Sequence, residues 1–361
     1  MQMLTAERID ALAVAANAAP SADNRHVVRL EPAGDRLRLW PTDPFARATG
    51  TRKVLGWLSV GAVFENITLR GAELGLRLEP RGLLPSDAAA PLVEFTILET
   101  DPCRDDALAG AIEGRHSNRR LRFRGPSLEP AMQRAMSAQA GAVPGTELIW
   151  LDDPRRRNAA LRLIRLAESE RFRNRLLHQE MFESIRFDVG WRASATDGLP
   201  PGSLALPWIA RPGFTLLRHW GIQRMANILG AHLFLGWRGA DLPCRLAPHL
   251  CAIAADGDLP AAAVGAGRLL QRVWLHATTL GLGFQVFAAS PNYALAGSTA
   301  VSTDLRHRLS DGWRALCPKR RPFIVFRMGV AELPACRAGR VDAQHLFVRD
   351  QKDASLEGVV P

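Results

Sequence analysis

The sequence of 361 residues predicts an α+β fold. Apolar positions at helical spacing alternate with short β-rich runs, and that alternation lacks strict βαβ regularity. One helix exit, Leu-Gly-Leu in the first half and Gly-Leu-Gly in the second, recurs before a strand. The chain is long enough for a large core or two domains.

The elements follow in order. Ile9, Leu12, Ala13 and Ala16 recur at helical spacing between Thr5 and Ala18, and Pro20 ends that helix. "HVVRLEPAGDRLRLWP" reads as a hairpin about Gly34-Asp35. Thr51 to Gly75 reads as a long helix closing on a glycine. "LRLEP" and Pro91 to Glu99 read as strands. A helix is expected from Asp105 to Glu113, and another near Glu129 to Gln139. Thr146 to Leu151 reads as a strand, and Arg/Leu-rich helices are expected from Pro154 to about Val189. Ala193 to Pro212, rich in Gly, Pro and Ser, reads as a linker or mobile loop. His249 to Asp256 is a strand, Pro260 to Gly281 a long helix, and Arg321 to Val330 a buried strand. "GWLSVGAVFENITLRGAELGLRLE" parallels "GAGRLLQRVWLHATTLGLGFQVF", which suggests an internal repeat.

The net charge of +10 would ordinarily suggest a nucleic-acid or membrane partner. Only Lys53, Lys319 and Lys352 are lysines, however, and the arginines spread from Arg8 to Arg349. A dispersed arginine excess fits a GC-rich bacterial genome better than a clustered footprint. Cys103, Cys244, Cys251, Cys317 and Cys336 show no two-residue spacing, so reduced thiols in a cytoplasmic protein are expected, with no metal site. The N-terminus lacks a signal pattern. The apolar run between Arg218 and Arg238 carries His219, Arg224 and His232 and is broken by glycines. It reads as a partly buried helix or lid, and no membrane partner is expected.

Two stretches carry chemistry. "EGRHSNRRLRFRG" holds Arg115, Arg119, Arg120, Arg122 and Arg124. In an extended segment Arg115, Ser117 and Arg119 share one face. Guanidinium forks with a hydroxyl suit one phosphate. The alternatives are a solvated basic loop paired with neighbours such as Glu113, or nucleic acid. The latter is disfavoured because no aromatic residues are interleaved. "AAPSADNRH" places Pro20, Ser21 and Asn24 between a helix and a strand. Ser21 and Asn24 can read the edge of a planar ring, or simply satisfy a turn.

Together these residues resemble the FMN-dependent nitroreductase family. "RHSNR" is similar to that family's Arg-x-Ser-x-Arg/Lys flavin signature, and "APSADN" to its Ala-Pro-Ser-x-x-Asn. "ATTLGLGF" resembles the helix exit beside the isoalloxazine. "FIVFRMGV" with "CRAGR" resembles the closing strand and its phosphate-binding basic residues. Arg115 follows Ser21 here, the reverse of the usual order, which resembles the Acg-like subgroup of fused, pseudo-dimeric members. The resemblance runs from about Ala13 to Arg340. Departures are Arg25 to Val27 in place of Gln-Pro-Trp, and a phenylalanine displaced to Phe123.

The resemblance implies a nitroreductase-like fold of two fused halves, 1–102 and 103–361, each with a mainly antiparallel sheet flanked by helices. The halves would form an intramolecular pseudo-dimer, with a lid or insertion at about 186–243 to which Trp191, Trp208 and Trp220 could contribute. It implies one FMN per chain, held by Arg115, Ser117, Arg119, Pro20, Ser21, Asn24, Gly281, Leu282, Gly283, Arg337 and Arg340. NAD(P)H is the candidate reductant, and the partner is a small-molecule substrate or electron donor. No catalytic side chain is assigned, since the flavin carries the chemistry. Two functions are open: an FMN-dependent oxidoreductase, monomeric or homodimeric, or a catalytically weak flavin-sequestering protein with a lid over the FMN.

Overall fold

The computed structural model describes residues 4–84, 90–103, 107–295, 298 and 300–348. Helix α1, Ala6–Ala18, begins at Thr5, whose hydroxyl accepts the Arg8 amide at 3.3 Å. Strands β1 (Val28–Ala33) and β2 (Arg36–Pro41) form the expected hairpin, with Leu30 opposite Leu39. Helix α2 (Gly50–Glu73) then leads to β3 (Leu76–Arg81) and β4 (Val93–Glu99). These strands make one antiparallel sheet in the order β1-β2-β4-β3.

The pattern recurs downstream. Helix α3 (Pro130–Ala138) precedes β5 (Thr146–Trp150). A helical insertion follows, containing α4 (Pro154–Arg173), α5 (Arg175–Glu183), α6 (Trp220–Ile228) and α7 (Ala231–Gly236). Next come β6 (His249–Ala255), helix α8 (Ala261–Thr279), β7 (Gly283–Phe287), helices α9 (Ala289–Tyr293) and α10 (Thr303–Leu316), and β8 (Arg321–Gly329). The second sheet is also antiparallel, ordered β5-β6-β8-β7. Both sheets therefore run strand, strand, long helix, strand, strand, with the same spatial order.

The long helices α2 and α8 cross at glycines. A Cβ at Gly61 would run into the Val264 carbonyl, and one at Gly267 into the Leu58 carbonyl. When Leu74-Gly75-Leu76 is laid on Leu280-Gly281-Leu282, Gly61 falls on Gly267 and Leu58 on Val264. Each contact is thus the mirror of the other, as in an isologous interface. Polar groups repeat the exchange. Asn66 Oδ1 accepts Gln271 Nε2 at 2.6 Å, and buried Glu65 accepts Arg268 at 2.8 Å and Arg272 at 2.7 Å. Two guanidinium groups on one buried carboxylate offset its desolvation.

One core joins Leu12 of α1 and Phe64 and Ile67 of α2 to Leu30, Leu39 and Phe95 of the first sheet. A second joins Leu269 and Val273 of α8 to Ile253, Phe284 and Phe326. A third lies under α4 and α10, where Ile164 and Trp313 meet Leu250 and Val325. Because the second sheet is covered on both faces, β6 is buried along its whole length.

Two expectations are corrected. The described part of the helix expected from Asp105 to Glu113 is only Ala107–Gly110, and Asp105 lies outside the described residues. Gly110 and Gly114 weaken any continuation. The Arg/Leu-rich helices expected from Pro154 are α4 and α5, which meet at Asn174, whose side chain accepts the Leu176 and Leu177 amides and so caps the second. The run between Arg218 and Arg238 is no single partly buried helix. It divides into α6 and α7, and much of its apolar surface faces outward.

Candidate functional site

The site is built where α8 ends. Gly281 adopts a left-handed φ of +68°, and Leu282 N donates back to Ala277 O at 2.9 Å, closing the helix before β7 starts at Gly283. The arginine-rich segment is pinned there by Asn118. Its amide donates to Phe284 O and its side chain to Glu332 O, both at 2.8 Å. Arg327, fully buried in β8, completes the clasp. It donates to Leu121 O and Pro243 O at 2.8 Å, to Gln285 Oε1 at 2.9 Å, and to Arg120 O. A buried guanidinium thus holds the carbonyls of the loop in one conformation.

Arg115 is buried, and its guanidinium lies 4.4 Å over the Trp274 ring. Trp274 stacks on Phe284 at 4.6 Å, and Phe284 on Phe326 at 4.3 Å, so a rigid aromatic column supports the cation. Arg115 donates to Ala18 O at 3.0 Å, while its Nε has no partner. Arg340 arrives from the C-terminal side. It donates to Ala19 O at 2.8 Å and to Asn24 Oδ1. Among the described residues neither arginine has a carboxylate partner. Burial and the neighbouring Arg340 charge push the Arg115 pKa down to about 9, and burial brings Arg340 to about 10.

The Pro20 to Asn24 turn meets Arg340 on one side and residues 195–196 of the insertion on the other. Ser21 Oγ is buried and unpartnered. Asp23 and Asn24 take left-handed φ values of 55° and 57°, a conformation that asparagine and aspartate tolerate best. Asn24 Nδ2 donates to Ala195 O and Thr196 O at 3.3 Å and to Gly339 O at 3.2 Å, so the insertion is tied down over the turn. Cys336 Sγ contacts Ala193 O at 3.3 Å, and Ser194 Oγ donates to Arg337 O at 2.8 Å. His26 Nε2 is also buried without a partner. Burial, helped by Arg340, drives the His26 pKa down to about 4, so the ring is neutral at pH 7.

A second cluster adjoins the first. Burial pulls the Arg119 pKa down, with Asp23 opposing and Arg171 reinforcing. Against the pull of burial, Glu168, Tyr293 and Asp23 hold the Arg171 pKa above its ordinary value. The phenol of Tyr293 is pushed up by burial.

The structure therefore brings Arg115, Arg340, Pro20, Ser21 and Asn24 together and anchors Gly281, Leu282 and Gly283 beside Asn118. Arg119 lies in the adjoining cluster, and Ser117 is half-buried. Arg337 stands apart: it is exposed, and its charge is felt at His116. Glu113 pairs with Arg70 at 2.7 Å rather than with the arginine cluster. Arg122 and Arg124 are exposed. Sequence reasoning missed Arg327, Trp274, Arg171 and Tyr293. The signals were a lone arginine inside an apolar strand, a tryptophan two turns before the glycine exit, and the only tyrosine in the chain. Among the described residues no cluster of His, Cys, Asp and Glu has a metal-binding arrangement.

No protein-family model matches this chain, and no curated protein matches it. Solved structures similar to it include an FMN-dependent nitroreductase of Mycobacterium smegmatis in complex with NADPH, at 17% identity, over 68% of this chain and 98% of that one, with a TM-score of 0.38. A nitroreductase with bound FMN from Bacteroides fragilis matches at 10% identity, over 67% and 98%, with a TM-score of 0.37. The NADPH:FMN oxidoreductase of Vibrio harveyi complexed with NAD+ matches at 11% identity, over 68% and 78%, with a TM-score of 0.35.

Proposed function

We propose that this chain is an FMN-dependent oxidoreductase of the nitroreductase type, an Acg-like pseudo-dimer whose halves, 1–102 and 103–361, hold one FMN between them. One observation carries the reading. Buried Arg115 and half-buried Arg340 lie without a carboxylate beside the Ala18 to Asn24 turn. Buried charges are ordinarily paired, so this arrangement calls for an anion. The orphaned Arg115 Nε and Ser21 Oγ are the polar atoms such a ligand would satisfy.

The residues fit FMN. Arg115, Arg340 and Ser117 would hold the phosphate, with Arg337 at its outer edge, and Arg119 would face the pyrimidine edge. Pro20, Ser21 and Asn24 would approach from the first half, and the Gly281 to Gly283 backbone would lie along the ring system. When bound, FMN supplies hydride and electron transfer between NAD(P)H or a small organic substrate and an acceptor. This chain's own contribution is to bind, orient and bias. The Arg119 cation stabilises negative charge on a ligand ring, and neutral His26 adds a polar edge without a competing charge.

A second reading has support in the tie between Asn24 and Ala195-Thr196, which lays the insertion over the turn. A segment held there would sequester FMN rather than admit substrate. The experiment runs in two steps. FMN should raise the Tm of the wild-type chain, and Arg115→Ala should abolish that rise while its circular dichroism stays native. An unliganded, unstabilised wild type would sink both readings. Stopped-flow reduction of bound flavin by NADPH or NADH then decides between turnover and sequestration.

A further inference from the structure

The insertion presents a face that the flavin reading does not use. Leu229 is 91% exposed, Trp208 77% and Ile228 75%, and Ile209, Met225 and Phe234 are exposed with them. Large apolar side chains this open, gathered on consecutive short elements, mark an interaction surface. Its electrostatics are one-sided. From Gly198 to Ala240 there is no Asp or Glu, while Arg211, Arg218, Arg224 and Arg238 lie within the stretch. Arg218 and Arg224 are exposed, and neither is paired with a carboxylate among the described residues.

We infer that this face is a peripheral docking surface for an anionic phospholipid bilayer. Two features select that occupant. The exposed charges of this stretch are Arg218 and Arg224 with no Asp or Glu among residues 198–240, so a second copy laid on the same face would set arginines against arginines, whereas anionic headgroups complement them. The apolar residues also stand exposed on short helices and the turn at Leu229. That shape suits insertion among headgroups and acyl chains more than capture of a partner helix. No helix among the described residues is long and apolar enough to cross a membrane, so docking would be in the interfacial plane. The expectation of no membrane partner rested on the lack of a spanning segment and on arginines dispersed along the whole chain, whereas within Gly198 to Ala240 the charged residues are all basic.

The test is cosedimentation of the full chain with two vesicle preparations, one of equimolar phosphatidylglycerol and phosphatidylcholine, the other of phosphatidylcholine alone. Binding to the anionic vesicles should exceed binding to the neutral ones by at least about tenfold and fall with added salt. The double variant Ile228→Glu/Leu229→Glu should lose roughly tenfold or more of that binding. Arg218→Gln/Arg224→Gln should weaken it by about fivefold per arginine, with vesicle preference reduced. Because all four positions are exposed, circular dichroism and FMN-induced stabilisation should not change. Absence of binding to either preparation would overturn the inference. So would a wild-type dimer in analytical ultracentrifugation that the Glu double variant dissolves while no vesicle uptake occurs, since the occupant would then be a second copy.

Discussion

The two sheets share a strand order and a connectivity, yet their first hairpins differ sharply. In the first half β1 passes to β2 through the two-residue turn Gly34-Asp35. In the second half the same connection, β5 to β6, runs from residue 151 to 248 and carries α4 to α7. The shared part is built from mutually exchanged contacts at the helix crossing. The long connection instead adds the lid-like tie to Asn24 and the apolar, basic face. The shared strand order supplies the scaffold, and the difference between the two connections sets apart the region around Asn24. Arg115 and Arg340 come from one side, and the Pro20 to Asn24 turn from the other.

The largest effect expected from breaking the comparison is at the crossing. Gly61→Ala and Gly267→Ala occupy equivalent places, so each should destabilise by about 3 kcal/mol, the upper end for overpacking, as backbone contact leaves no soft neighbour to yield. Their costs in urea unfolding should agree more closely with each other than with alanine at any unrelated glycine. A large cost at one and none at the other would argue against a symmetric crossing.

Next comes the clasp found only in the second half. Arg327→Met leaves the carbonyls of Arg120, Leu121 and Pro243 without their donor, at about 1–3 kcal/mol for buried groups. It should also weaken FMN binding although Arg327 is not assigned to the ligand. Hydrogen exchange localised to the Arg119 to Phe123 amides would show the loop loosening.

A third expected effect is a pH dependence. His26 has a native pKa of about 4, below the ordinary value of 6.5. The unfolded chain therefore binds the proton first, and stability should be full above about pH 6.5 and decline as pH falls towards 4. His26→Gln, of similar size and never charged, should flatten that part of the pH profile measured by Tm. An unchanged profile would place the acid sensitivity elsewhere. The smallest effect is at Glu113, exposed and paired with Arg70. Glu113→Gln should cost under about 1 kcal/mol and leave FMN affinity alone.

Much of the architecture was legible because its signals are local. Periodicity marked α1, α2 and α8, alternation marked the hairpin, and the glycine exit marked the ends of both long helices. The complementary turn and arginine motifs were legible as pieces. Their convergence followed only from the family resemblance, since Arg115 meets Ala18 across a sequence distance that no local pattern spans. Arg327 stayed hidden because burial of a guanidinium depends on carbonyls from two distant loops. The division of residues 218–238 into two short helices was obscured by hydrophobicity, which signals burial only when a partner surface exists.

The most direct test of a split phosphate site is a calorimetric titration of the purified chain with FMN and, in parallel, with riboflavin. The account predicts one FMN per chain and affinity for riboflavin lower by about 100-fold, as expected when charge-assisted hydrogen bonds from Arg115 and Arg340 are lost. Equal affinity for the two flavins, or two FMN per chain, would contradict it.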